Sequence, residues 1–118
     1  MNNARVYVPQ QTMRRTPAGF VPLHDLSPAM EFGRLNILLP SGPVSLEMGP
    51  IVAIMREKLE TFGDDDFIIA TGDPAVISAA VIVAAARNNG RVKLLRWDRN
   101  VAMYMALQID LHEGAKDT

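Results

Sequence analysis

The sequence predicts an α/β fold: a single small domain whose mixed, mainly parallel sheet has about five strands, with a βαβ core and a C-terminal antiparallel hairpin. Three observations predict it. From Asp66 to Trp97 a short apolar run leads into a long apolar helix and then into a second β-like run, the pattern of one crossover. From Pro50 to Phe62 apolar residues recur at helical spacing. After Asp98 apolar residues alternate with others, which reads as the returning arm of a hairpin.

Taken in order, Ala4 to Val8 (ARVYV) reads as a strand ended by Pro9. Gln10 to Gly19 is a polar, basic excursion with a Pro-Ala-Gly turn. Phe20 to Leu23 reads as a brief strand, confined to an edge because Pro22 has no N–H for a ladder. His24 to Gly33 holds Ser27 as a helix cap, Pro28 after it and Glu31, so a turn or two of helix is expected, closed by Gly33. Arg34 to Leu39 is the next strand, stopped by Pro40, and Ser41 to Met48 is loop, broken at Gly42-Pro43.

In the helix from Pro50 to Phe62, Ile51, Met55, Leu59 and Phe62 share the dry side with Val52. Arg56, Glu57, Lys58 and Glu60 take the wet side, where Arg56 and Glu60 are one turn apart. Gly63 ends the helix. Phe67 to Ala70 is uninterrupted and apolar, as a strand covered on both faces should be. Asp73 is placed to cap the next helix through its carboxylate, and Pro74 suits the first helical position because its missing N–H would be unbonded anyway. The helix runs from Ala75 to Ala86 and stops at Asn88-Asn89-Gly90, where Asn89 or Gly90 takes the left-handed conformation. The two flanking strands are then parallel. Asp98-Arg99-Asn100 is a hairpin turn. In the last strand Val101, Met103, Met105, Leu107, Ile109 and Leu111 alternate with Ala102, Tyr104, Ala106, Gln108 and Asp110, a period of two that leaves one face buried and one wet. Residues 1–111 make one domain and 112–118 a flexible tail.

Bulk properties narrow the function classes. With 118 residues and a formal net charge of −1, the chain has no global field for nucleic acid or for an anionic membrane. It has no cysteine, so disulfides and thiolate metal sites are excluded. The start MNNARVYV does not read as a signal peptide, and the apolar helix is too short for a membrane span, which places the protein in a cytoplasm.

Chemical motifs are sparse. In open α/β sheets, ligands sit outside the carboxyl ends of the parallel strands. That rim comprises Pro9 to Thr12, Thr71 to Asp73, and Trp97-Asp98. The N–H groups after Thr71 and Gly72 could hold an anion, but Asp73 places its own negative charge there, and no further glycine or lysine follows as in a P-loop. Asp64-Asp65-Asp66 lies at the opposite rim, and its side chains diverge on entering a strand, so a solvated loop is expected and not a metal site. His24 and His112 lack partners for a dyad, and the trio His24, Asp25, Ser27 is too local for a triad. Arg14-Arg15 and the series Arg87, Arg91, Lys93, Arg96, Arg99 are solvated edges with few aromatics among them, which argues against a nucleic-acid surface. No catalytic set and no cofactor is predicted.

The helix from Ala75 to Ala86 is the oddity, since only Ser78 interrupts its apolar run. Such a helix is expected to be buried all round. Two covers fit: the Gln10–Gly33 excursion, which is the favoured one, or a second protein chain on Ala75, Ala79 and Val83. The final strand, with Met103, Tyr104 and Met105, is a further interface candidate, able to pair with a partner or with its own copy.

The runs VYVPQQTMRR, FVPLHDLSPAMEFG and DDDFIIATGDPAVISAAVIVAAARNNGRVKLLRWDR together resemble a group of short proteins of tailed bacteriophages. That group has no settled activity, so no residue role carries over. The resemblance implies a phage-encoded protein acting in the host bacterial cytoplasm, of a kind that binds and alters a host protein. The expected function is therefore a protein-binding accessory role, as a host-directed regulator or inhibitor, with a homodimer as one form. The alternative is a small-ligand or nucleotide-binding domain using Thr71, Gly72 and Asp73. An enzyme ranks last, since it needs a crevice gathering Asp73, Asp98, His24 or Arg14.

Overall fold

Residues 3–44 and 46–113 are described by the computed structural model. The main sheet holds β1 (Arg5–Gln10), β4 (Arg34–Leu39), β5 (Phe67–Ile69), β6 (Arg91–Asp98) and β7 (Met103–Asp110), in the spatial order β4-β1-β5-β6-β7. A separate hairpin pairs β2 (Met13–Thr16) with β3 (Gly19–Pro22). Two helices, α1 (Met48–Lys58) and α2 (Pro74–Arg87), lie on one face of the sheet, and a short 3₁₀ helix, Ser27–Glu31, packs on the other. The crossover is as expected: β5 and β6 run parallel, with Phe67 opposite Lys93 and Ile69 opposite Leu95. β1 also pairs in parallel with β4 and β5, and β7 returns antiparallel to β6. The sheet is therefore mixed and mainly parallel.

Alternation along the inner strands divides the core. Tyr7, Ile68 and Val92 point to the helices and join Leu38, Met55, Leu59, Val76 and Ala80. Val6, Val8, Ile69 and Leu95 point the other way and meet Ala29 and Tyr104, with Leu26 and Phe32 at the margin. Burial on both faces explains the unbroken apolar runs of β1 and β5.

Several expectations are corrected. Pro9 does not end β1. Strand β5 meets only Val6 and Tyr7, so no β5 carbonyl is waiting for a Pro9 N–H, and the strand continues until Gln10 pairs with Leu39. The excursion is more ordered than a loop: Thr16 Oγ1 donates to the Gly19 carbonyl, 2.7 Å, across the Pro17-Ala18 turn that joins β2 to β3. Ser27 is not the helix cap. Leu26 holds that position, and the Ser27 N–H and hydroxyl both donate to Asp25, at 2.9 and 2.7 Å.

Helix α1 begins before Pro50, because the first helical N–H groups have no intrahelical acceptor and a proline among them loses nothing. It ends at Lys58, which leaves Glu60 outside it, and Leu59 and Phe62 are buried from the following turns. At the end of α2 both Asn89 (φ 56°) and Gly90 (φ 82°) are left-handed. The β6–β7 turn runs on to a left-handed Ala102 (φ 53°), so β7 starts at Met103 and not at Val101. Leu111 to Glu113 form a turn, with the Glu113 N–H donating to the Asp110 carbonyl, 3.1 Å; the rest of the expected tail, 114–118, lies outside the described residues.

The alternation along β7 leaves open which face is covered, and the structure settles it. Tyr104 is the buried residue, packed edge-on against Trp97 with ring centroids 5.0 Å apart. Met103, Met105 and Ile109 are 47%, 41% and 38% exposed. They lie on the side of α1 and α2, opposite Asp98, Arg96 and Val92, but the main contacts of those two helices are with each other and with β1, β4 and β6, which leaves this face of β7 open. No helix among the described residues is long and apolar enough to cross a membrane.

Candidate functional site

The turn at Thr71–Asp73 is built as a structural joint. The Thr71 N–H donates to the Ile69 carbonyl, 2.9 Å, and Asp73 caps α2 by accepting from the Ala75 N–H at 2.8 Å. Gly72 (φ 114°) lies against Gln10, whose Cβ is 3.2 Å from where a Gly72 Cβ would stand. Gln10 is itself buried and donates to the carbonyls of Pro40 and Gly42, at 3.4 and 3.0 Å. The three residues thus tie the start of α2 to the end of β1.

Beside this joint an open cleft of about 690 Å³ lies at the carboxyl-end rim, lined by Leu23, His24, Asp25, Thr71, Arg96 and Arg99 among others. Of the groups an enzyme would need, His24 lines it, while Asp73, Asp98 and Arg14 do not. The Asp25 carboxyl is held below the usual range by the Ser27 hydroxyl and N–H. Burial raises the Tyr104 phenol, and the Asp25 charge adds to it. Sequence reasoning named Thr71, His24 and Arg99 separately; their meeting depends on the excursion folding under this end of the sheet, which no local pattern reports.

The acidic triplet is corrected in part. Asp65 is exposed, but Asp66 is buried and accepts from the backbone N–H groups of Arg5, 3.0 Å, and Gly63, 2.9 Å, tying β1 to the start of β5. Asp64 accepts from Arg91 Nε, 3.1 Å, and Asn88 Nδ2, 2.8 Å, and these two bonds hold its carboxyl below the usual range. The described residues contain no group of three or more His, Asp or Glu side chains placed to share a metal ion.

Helix α2 gives the clearest surface. The expected cover by the Gln10–Gly33 excursion is overturned: that segment packs under the opposite face of the sheet, through Leu26, Ala29 and Phe32. Nor is the helix buried all round. Val76, Ala80 and Ala84 are fully buried, and Ala79 and Val83 are nearly so, whereas Ala75, Ser78, Ile82 and Ala86 are exposed, Ile82 by 68%. Between α1 and α2 runs a groove of about 560 Å³ with Val52, Ala79, Ile82 and Val83 in its apolar lining and Arg56 and Arg87 among its walls. Ala75, Ala79 and Val83 all line it. Of the β7 candidates, Met103 and Met105 are open to solvent and Tyr104 faces inward.

A protein-family model described as phage Pam3 gp32-like protein matches residues 4–111. No curated protein matches the chain, and no solved structure does.

Proposed function

The chain belongs to the phage Pam3 gp32-like family, and from that premise we propose that it is an accessory protein of the phage that works by binding a protein of the bacterial host in the cytoplasm. The observation that carries this reading is the α1–α2 groove, apolar along its length and covered by no other element of the described chain. Two helices side by side present the recess into which an amphipathic helix lays its apolar face. Ile82 and Val52 supply apolar contact, and the small Ala75, Ser78, Ala79 and Ala86 let a partner backbone come close. Arg56 and Arg87 favour a partner helix carrying acidic residues beside its apolar stripe.

Affinity capture from host lysate with wild type and with Ile82→Lys tests the reading. Ile82 is exposed, so the variant should fold normally. The wild type should retain a host protein that Ile82→Lys loses and that high salt weakens. Capture of the same proteins by both would remove the groove from the account.

The second reading, a small anionic ligand at the carboxyl-end cleft, is favoured by Arg96 and Arg99 beside Thr71. A nucleotide panel in thermal shift tests it, since a ligand that binds only the folded chain raises the melting temperature. The rise should vanish in Arg99→Ala. Gly72 is a poor probe here, because a side chain there meets Gln10 and is strained at φ 114°.

A further inference from the structure

The outer edge of β7 is laid out as half of a two-fold strand pair, and we propose that a second copy of this chain binds there, joining two sheets into one. The phase of the edge comes from the ladder. The Leu111 N–H donates to the Gly90 carbonyl, 2.9 Å, and the pair continues the β6–β7 register in which Ile109 faces Val92 and Met105 faces Arg96. In an antiparallel ladder directly bonded pairs recur at every second residue. The odd-numbered residues of β7 therefore bond to β6, and the N–H and C=O groups of Tyr104, Ala106 and Gln108 point away from the sheet.

Those groups match a second β7 about an axis through Ala106. Ala106 then pairs with its own copy, and Tyr104 with Gln108 of the other chain, for about six new backbone hydrogen bonds. On the helix side the same register sets Met105 beside Leu107 and Met103 beside Ile109. All these cross-strand neighbours are apolar. On the other side Asp110 falls opposite Ala102, so no like charges meet. Neighbouring registers fit worse. A shift one way leaves Gln108 opposite Ala102, whose left-handed backbone is outside the strand. A shift the other way requires the Asp110 carbonyl, which already accepts from the Glu113 N–H.

Side chains beyond the ladder complete the fit. A notch of about 530 Å³ between α2 and β7 is lined by Ile82, Ala85, Ile109 and Leu111 among others. The two-fold brings the second copy's Val101 and Met103 to it, alongside Leu111 and Ile109. With both copies counted, the exposed apolar side chains at this seam offer on the order of 1,000 Å² to bury, the scale of a specific interface. Nothing on β7 opposes pairing: Met103 to Ile109 contains no charge, no proline and no bulge.

The proposal uses a different surface from the host-binding groove, and its test needs only the purified chain, so either can fail alone. Sedimentation should give twice the chain mass of 13.0 kDa. Because the protein has no cysteine, a single introduced thiol reports the register without ambiguity. Ala106→Cys should form a disulfide-linked dimer on mild oxidation, since directly paired α-carbons about 5.5 Å apart can be bridged. Ile37→Cys, on the opposite edge of the sheet, should not. Met105→Lys and Ala106→Pro should both sediment at the single-chain mass; the proline removes only an outward N–H and leaves the β6 ladder whole. A wild type that stays at 13.0 kDa through the micromolar range would overturn the proposal. So would a dimer that persists in Met105→Lys, or one that Ala106→Cys does not cross-link.

Discussion

At one border of the sheet, β4 starts on Arg34, stops against Pro40 and lends its backbone to side chains. Lys58 Nζ donates to the Leu38 carbonyl, 2.9 Å, and Asn36 Nδ2 to the Arg34 carbonyl, 3.0 Å. The loop beyond it is pinned by Gln10, which reaches the carbonyls of Pro40 and Gly42. At the other border, β7 is longer, carries its only charge at its last residue, and has one buried side chain, Tyr104. Charges, prolines and side-chain contacts to the backbone are the means by which proteins keep an edge from recruiting another strand. Their concentration on β4 and their absence from Met103 to Ile109 of β7 separate an edge meant to stay closed from one free to pair.

The contrast predicts where each edge is weakest. Tyr104→Ala should have the largest effect, about 3 kcal/mol in urea unfolding, because it removes both the buried ring and its contact with Trp97. Faster hydrogen exchange should be confined to the β6–β7 ladder. Equal acceleration in β4 would show that the two borders are not independent units.

Gly33→Ala attacks the opposite edge where β4 begins. A Cβ at Gly33 would stand 2.5 Å from the Ala4 carbonyl oxygen, which accepts from the Arg34 N–H at 3.0 Å. The backbone must separate there, at a cost of about 2 kcal/mol. Denaturant titration checks the magnitude, and exchange should now quicken in β1 and β4 while β7 is spared.

How far these features could be read in advance depended on their range. The βαβ unit was legible because each signal is local: the Asp73 cap, Pro74, the left-handed Asn89 and Gly90, and an apolar run on either side. The alternation of β7 was equally local, but a period of two names two faces without saying which one is covered. Tyr104 won burial because the 3₁₀ helix packs beneath it, and the methionines lost it because α2 stops short of β7. The same limit applied to α2, whose exposed stripe follows from where the excursion folds and not from any residue in the helix. Asp66 looked like its neighbours; besides the nearby Gly63 N–H it accepts from the Arg5 N–H, 61 residues away, and that long-range bond left no local signal.

Lys58→Met is a milder probe of the closed edge. It retains most of the side-chain stem and removes the donor to the Leu38 carbonyl, so about 1 kcal/mol should be lost. Chemical denaturation reads the loss. Sedimentation of the same variant asks whether one lysine guards the edge: mass should stay that of the wild type if Arg34, Pro40 and the Gln10 contacts suffice, and should rise if Lys58 was the principal barrier.

The smallest effect is expected in acid, and it should fall on the β7 side. Asp64 binds Arg91, and Arg91 stands opposite Asp110 at the end of β7. Because its bonds to Arg91 and Asn88 depress the Asp64 carboxyl in the folded chain, its contribution is fully present above the ordinary value of 3.8 and is lost as the pH falls through the lower folded value. The pair is exposed and screened by solvent, so the loss is slight. Amide exchange below pH 4 should therefore quicken first near Arg91 and Asp110, with β4 unchanged, and Asp64→Asn should remove that local acid response. Simultaneous loosening of both edges would mean that acid acts through the whole core, and that the two borders are not held as separately as their side chains imply.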